Sequence, residues 1–198
     1  MYMARPSSVL VQTQALATID PRGLLAPLHL LAFSTLLGTQ LYQTFVVTKI
    51  CYVSLPRSAF TTLQKRLFPV YFRGQSLLLL LTVVTVPSRG PRTVLANKSA
   101  WIPFAVAAVT ATLNCWIYGP RTRQIMIDRI HQETRDSLQK QATGDDGVSE
   151  TSSPEMQLIR RSFSRNHAMS IHLNLLTISA MLWWGYKLAS SLNLELNH

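Results

Sequence analysis

Acidic side chains are scarce in this sequence and unevenly placed. Nine Asp and Glu stand against 19 Lys and Arg, and seven of those nine fall between Asp128 and Glu155. None lies within a long apolar run, which removes the carboxylate that intramembrane proton relays and cation sites rely on. Cysteine is nearly as rare. Cys51 and Cys115 both sit inside apolar blocks, with no CxxC or Cys/His spacing, which argues against a disulfide scaffold and a structural zinc site and for buried free thiols. No G-x-S-x-G elbow, P-loop, H-E-x-x-H or dinucleotide fingerprint occurs. His167 and His172 are five apart and point about 140° away from each other on a helix, a poor metal pair. These absences argue against an enzyme, a cofactor and a metal.

Charge is also low overall. Charged residues make up 14% of the chain, against roughly 25% in soluble domains, while mean hydropathy is +0.16. The deficit points to a membrane. The net charge of +10 is held almost wholly between apolar blocks, as in multi-span proteins that use basic flanks to orient and to touch anionic headgroups. No nucleic-acid-binding motif accompanies it, so nucleic acid is not an expected partner.

What is present is a set of four apolar stretches. They predict an all-α integral membrane four-helix bundle with spans at about 27–53, 68–86, 100–118 and 169–189. Residues 1–23 read as a tail and 191–198 as another. Residues 119–166 read as a cytosolic helical connection between the third and fourth spans, with 142–154 of disordered-linker composition. Residues 54–67 predict a short separate interfacial helix, and Pro69 falls where it would open the second span. The second span's heart, LLLLLTVVTV, reads as a lipid-facing helix with few polar groups. In the third, Ser99, Pro103, Ala107, Ala111 and Cys115 recur every four residues, a ladder that admits a close neighbour. Basic residues are more numerous on the side of the first and third connections, which places the large connection in the cytosol and both termini outside.

The first span is not plain hydrocarbon. His29, Gln40, Gln43 and Thr44 share about a third of its circumference. His167, Ser170, Asn174 and Thr177 share one side of the fourth, and Asn114 lies on the third span's small-residue side. The candidate polar intramembrane face is therefore His29, Gln40, Gln43, Asn114, His167 and Asn174, with both histidines expected to be wet near the interface. It reads either as interhelical glue or as the lining of a crevice for a lipid headgroup or small solute. Arg121, Arg123, Arg160, Arg161 and Arg165 flank the third and fourth spans and are candidate headgroup-binding residues.

With the blocks laid out, the order of motifs resembles the transmembrane protein 205 family of small four-span proteins, which includes fungal members. The resemblance rests on His29-Leu-Leu, Gly38-x-Gln40 with Thr44-Phe-Val, and Ser54-Leu-Pro-Arg57 with Phe60. It continues through Leu67-Phe-Pro-Val-Tyr-Phe72, Asn114, Pro120-Arg-Thr122 with Met126, and Phe163-x-Arg165-x-His167 with Ser170 and Asn174-Leu. It implies four helices in a membrane and no established enzymatic chemistry. The expected function is structural or regulatory, in lipid handling or membrane organisation, with membrane lipids and a second copy or a partner membrane protein as partners. The alternative is a small oligomeric transporter or channel. An endomembrane, the plasma membrane or the mitochondrial outer membrane would each suit such a chain.

Overall fold

The computed structural model describes residues 23–87, 98–143 and 153–191. The tail at 1–22, most of the second connection, the linker at 144–152 and the last residues, 192–198, lie outside them. Among the described residues there are four helices and no strand. Helix α1 spans Leu25–Ser54, with a wider π-helical turn at Tyr42–Val47. Helix α2 is Arg57–Val84. Helix α3 runs without a break through Lys98–Leu113, a second π-helical turn at Asn114–Tyr118, and Gly119–Thr143. Helix α4 is Pro154–Ser191.

Three of the four, Leu25–Ser54, Arg57–Val84 and Ala100–Ala142, are long and apolar enough to cross a membrane. In α4 the polar residues Ser170, His172, Asn174 and Thr177 dilute the apolar stretch.

Two boundaries differ from the sequence reading. The interfacial helix and second span are one rod, because Pro69 stands inside α2; a transmembrane helix tolerates a missing N–H where neighbouring groups compensate. The third span and the helix beyond it are likewise continuous, so residues 119–143 extend α3 and do not form a separate connection. Pro120 cannot donate to the carbonyl one turn back, and the wide turn at Asn114–Tyr118 precedes it, giving the ring room.

The turns have local causes. Leu55, the residue before Pro56, is extended at φ −109°, ψ 143°, which is where a proline drives its predecessor, and the chain reverses there. Tyr52 and Phe60 close the hairpin edge-to-face, centroids 5.4 Å apart. Helix α4 opens with Pro154 at its first position, where the missing N–H costs nothing. Ser153 caps it by accepting from the Met156 N–H at 3.2 Å and donates to Asp136 of α3 at 3.0 Å. The start of α4 is thus tied to the end of α3.

Buried positions repeat by threes and fours: His29, Phe33, Leu36, Gln40 and Gln43 on α1, Phe104, Ala107, Ala111 and Asn114 on α3, and Ser170, Asn174, Thr177, Met181 and Trp184 on α4. That average spacing of 3.5 keeps one row of each helix turned toward its neighbours. Helix α3 packs on α4, with Ala107 and Ala111 wholly buried between them, and α1 packs on α2. At the far end from the Leu55-Pro56 turn, Phe33, Leu36, Leu79, Phe104, Met181 and Trp184 form one apolar cluster.

Gly185 belongs to that cluster's fit. A Cβ there would stand 2.8 Å from Cζ of Phe33, so Gly185→Ala must displace a buried ring. It is expected to cost about 1–3 kcal/mol, and Phe33→Leu in the same chain is expected to return most of it. Melting curves of the single and double variants check this.

Candidate functional site

The interior between the helices is polar over much of its length, and helix spacing explains how. On α2, Gln64, Tyr71, Gln75 and Thr82 follow one another by seven, four and seven residues, so all four share a face. That face is buried, while Leu77, Leu80 and Leu81 are exposed on the others. The second span is therefore not the featureless lipid-facing helix its leucine run suggests: the leucines face outward and the polar residues inward. From Gln64 to Thr82 the row covers about 27 Å at 1.5 Å per residue.

Asn174 is the hub. Its Oδ1 accepts from the Tyr71 hydroxyl at 2.8 Å and from Gln75 Nε2 at 3.3 Å. Its Nδ2 donates to Thr44 Oγ1 at 2.8 Å. One amide joins α1, α2 and α4. Asn114 Nδ2 donates to the Ser170 carbonyl at 3.0 Å, and Thr110 and Thr177 share a hydroxyl bond at 2.7 Å; these tie α3 to α4.

His29 is buried to 1% exposure, which corrects the expectation of a wet interfacial ring. Its Nδ1 lies 2.9 Å from the Thr82 carbonyl, which can only accept, so Nδ1 carries the proton. Its Nε2 accepts from Trp184 Nε1 at 3.2 Å. Both nitrogens are satisfied in the neutral ring, and the histidine bridges α1, α2 and α4. Replacing it with alanine is expected to cost about 2–4 kcal/mol, since it opens a cavity and leaves the Trp184 N–H unpaired. A lowered unfolding midpoint with altered Trp emission is the readout.

His167 does not join this seam. It is half-buried and stacks on Phe163 of its own helix, centroids 5.2 Å apart.

Gln40 and Gln43 are buried as well, yet they stand differently. Gln40, at 0% exposure, has no hydrogen-bond partner at either end of its amide. Nor does Gln64, at 2%. Gln43 Nε2, Gln75 Oε1, Asn114 Oδ1 and Thr122 Oγ1 are likewise buried and unpaired.

The five candidate arginines are all exposed. The contacts Asn114–Ser170 and Thr110–Thr177 set α3 antiparallel to α4, and this register places Arg121 and Arg123 opposite Arg160, Arg161 and Arg165. On the same end, Arg57 and Arg129 both approach Glu133, at 3.6 and 3.1 Å, surface pairs of which the Arg129 side chain is half-buried, worth at most about 1 kcal/mol each. Among the described residues no group of three His, Cys, Asp or Glu is placed to hold a metal.

Sequence reasoning missed Gln64, Tyr71, Gln75, Thr82 and Trp184 as interior groups. The signal was the seven-four-seven spacing on α2, masked by the leucines between.

Residues 31–131, just over half of the 198-residue chain, match the family model described as "Domain of unknown function (DUF4149)". Over 179 residues the chain is 41% identical to the "Xanthocillin biosynthesis cluster protein D" of Aspergillus fumigatus, covering 89% of this chain and 96% of that protein. No solved structure matches it. The matched segment takes in Gln40, Gln43, Gln64, Tyr71, Gln75 and Asn114, and stops before Asn174. The chain belongs to the DUF4149 family.

Proposed function

We propose that this member of the DUF4149 family is a four-span membrane protein acting as a non-catalytic accessory of a biosynthetic route, structural or regulatory in role. The observation that carries this is the chemistry of the interior. It is built from neutral amides, hydroxyls and one neutral imidazole, several of which bind one another across helices, and among the described residues no carboxylate is buried with them. Such groups hold helices together, at about 0.6 kcal/mol per bond and up to about 1.7, but supply no acid, base or nucleophile poised for reaction. The relative's name supports the pathway setting. Helix α4 serves as the fourth span in this reading, because its Ser170, Asn174 and Thr177 are buried against its neighbours while Ile171, Leu175, Leu176, Leu182 and Trp183 face outward. That plan also agrees with the resemblance to the transmembrane protein 205 family.

Membrane lipids are the nearest partners, with Arg121, Arg123, Arg160, Arg161 and Arg165 gripping anionic headgroups from the cytosolic side. The experiment removes the protein from a host whose product depends on it and restores it as Tyr71→Phe with His167→Gln. Full product recovery is expected. Loss of product with normal protein level would return the enzyme reading.

A second reading, an oligomeric transporter, draws on one specific observation. The buried row on α2 spans about 27 Å, close to the hydrocarbon thickness of about 30 Å.

A further inference from the structure

The polar interior divides into two halves of different character. At the end where Thr82 lies, each polar group is paired: His29 with Thr82 and Trp184, and Thr110 with Thr177. Around them Phe33, Leu36, Leu79, Phe104 and Trp184 pack without polar interruption. The unpaired groups all lie toward the other end, where α1 turns into α2 and α3 runs on to Thr143, around the bonded hub of Asn174 with Thr44, Tyr71 and Gln75. There Gln40, Gln43, Gln64, Gln75, Asn114 and Thr122 present buried polar atoms with no partner in the protein. Both π-helical turns, at Tyr42–Val47 and Asn114–Tyr118, fall in this half, and such turns recur where helices serve a ligand.

A buried amide left unpaired costs about 1–3 kcal/mol. Several gathered in one half of one seam are retained only if something pairs with them. Their chemistry defines the occupant. Donors (the Nε2 groups of Gln40, Gln43 and Gln64) and acceptors (Oε1 of Gln40, Gln64 and Gln75, Oδ1 of Asn114) are both present, so a pure donor or pure acceptor would leave half of them unmet. No charged side chain is buried with them, so an ion has no counter-charge.

We propose that this half of the bundle is a blind binding seam for small neutral molecules that both donate and accept hydrogen bonds, water or an organic amide or polyol. They enter from the Leu55-Pro56 end and are stopped at the Leu36–Leu79 level by the apolar cluster. The proposal goes beyond the accessory reading and does not depend on it. A blind seam is a receptor or a hydrated hinge, not a conduit, so it stands against the transporter reading.

The test uses the full chain in nanodiscs with Cys51→Ser and Cys115→Ala. Cysteines are placed at Gln40 and Leu36, one turn apart on the same face of α1, and at Gln64 and Thr82 near the two ends of the α2 row. The probe is 2-hydroxyethyl methanethiosulfonate, itself small, neutral and hydrogen-bonding. Gln64→Cys and Gln40→Cys are expected to react at least tenfold faster than Leu36→Cys and Thr82→Cys. Equal, slow reaction at all four overturns hydration of the seam, and equal, fast reaction at all four overturns its being blind. Added acetamide separates the sources: slowing at Gln40→Cys assigns an organic occupant, and no slowing assigns water. Because a cysteine variant can misfold, wild-type protein with labelled glutamine gives an independent reading. Cross-relaxation to the side-chain amides of Gln40 and Gln64 from water or from added acetamide supports the proposal, and its absence from both overturns it.

Discussion

Asn174→Leu is expected to be among the most damaging single changes in the chain, lowering stability by about 2–5 kcal/mol. The substitution keeps volume but removes three bonds at once, from Tyr71, from Gln75 and to Thr44. At about 0.6 kcal/mol each and up to about 1.7 these sum to that range. The groups left behind have nowhere to turn, because Tyr71 and Gln75 are buried. In a chain of this size each kcal/mol moves the melting midpoint by about 2–4 °C, so a fall of roughly 4–20 °C is the readout. Tyr71→Phe alone is expected to cost about 1 kcal/mol, and combined with Asn174→Leu it should add almost nothing, since the hub it bonds to is already gone. Full additivity would mean that Tyr71 and Asn174 do not share a bond.

Gly119→Ala is the second large effect, and it arises from backbone and not from a lost contact. Gly119 follows the π-helical turn, donating its N–H to the Asn114 carbonyl. A Cβ added there would stand 2.6 Å from that carbonyl oxygen and 3.3 Å from the Phe72 ring. The ring can yield; the carbonyl belongs to the helix and cannot move without unwinding the turn. A cost of about 3 kcal/mol or more follows, at the upper end for overpacking. The distinguishing test is a partner change. Phe72→Leu relieves the ring contact alone and is expected to recover little, in contrast with Gly185→Ala, where the obstacle is a side chain and Phe33→Leu recovers most of the loss. Helical content by circular dichroism and melting midpoints of the four variants make the comparison.

Much of this architecture is written in the residue pattern. Long apolar runs announce the helices, and the alternation of threes and fours along His29, Phe33, Leu36, Gln40 and Gln43 marks the buried face of α1. Other features were less legible for specific reasons. Pro69 and Pro120 look like breaks, because local rules treat proline as a terminator; tertiary packing and a wide turn carry the helix through both. Helix α2 reads as lipid-facing because its leucines are contiguous, yet contiguous residues cover the whole circumference and only every third or fourth faces inward. Trp184 and His29 are adjacent only in space, 155 positions apart in sequence, and nothing local marks the pair. His167 illustrates the reverse error. It shares a side with Ser170 and Asn174, but it sits a turn too early to reach the seam and rests on Phe163.

The candidate site shows the same division. That Gln40, Gln43, Asn114 and Asn174 turn inward follows from their spacing. Which of them is paired does not, since a hydrogen bond depends on ångström-scale placement across helices. Asn174 meets three partners, and Gln40, at a comparable depth one helix away, meets none.

Thermal unfolding of Gln40→Leu beside Asn174→Leu separates the bonded amide from the unpaired one. The two substitutions are alike in chemistry and burial, so only pairing separates them. The expected midpoint is unchanged or raised for Gln40→Leu, where an unpaired amide gives way to hydrocarbon, and falls by roughly 4–20 °C for Asn174→Leu. Equal losses from both, failing to add in the double variant, would contradict it: Gln40 would then be bonded into the same glue, and no half of the bundle would be held open for an occupant.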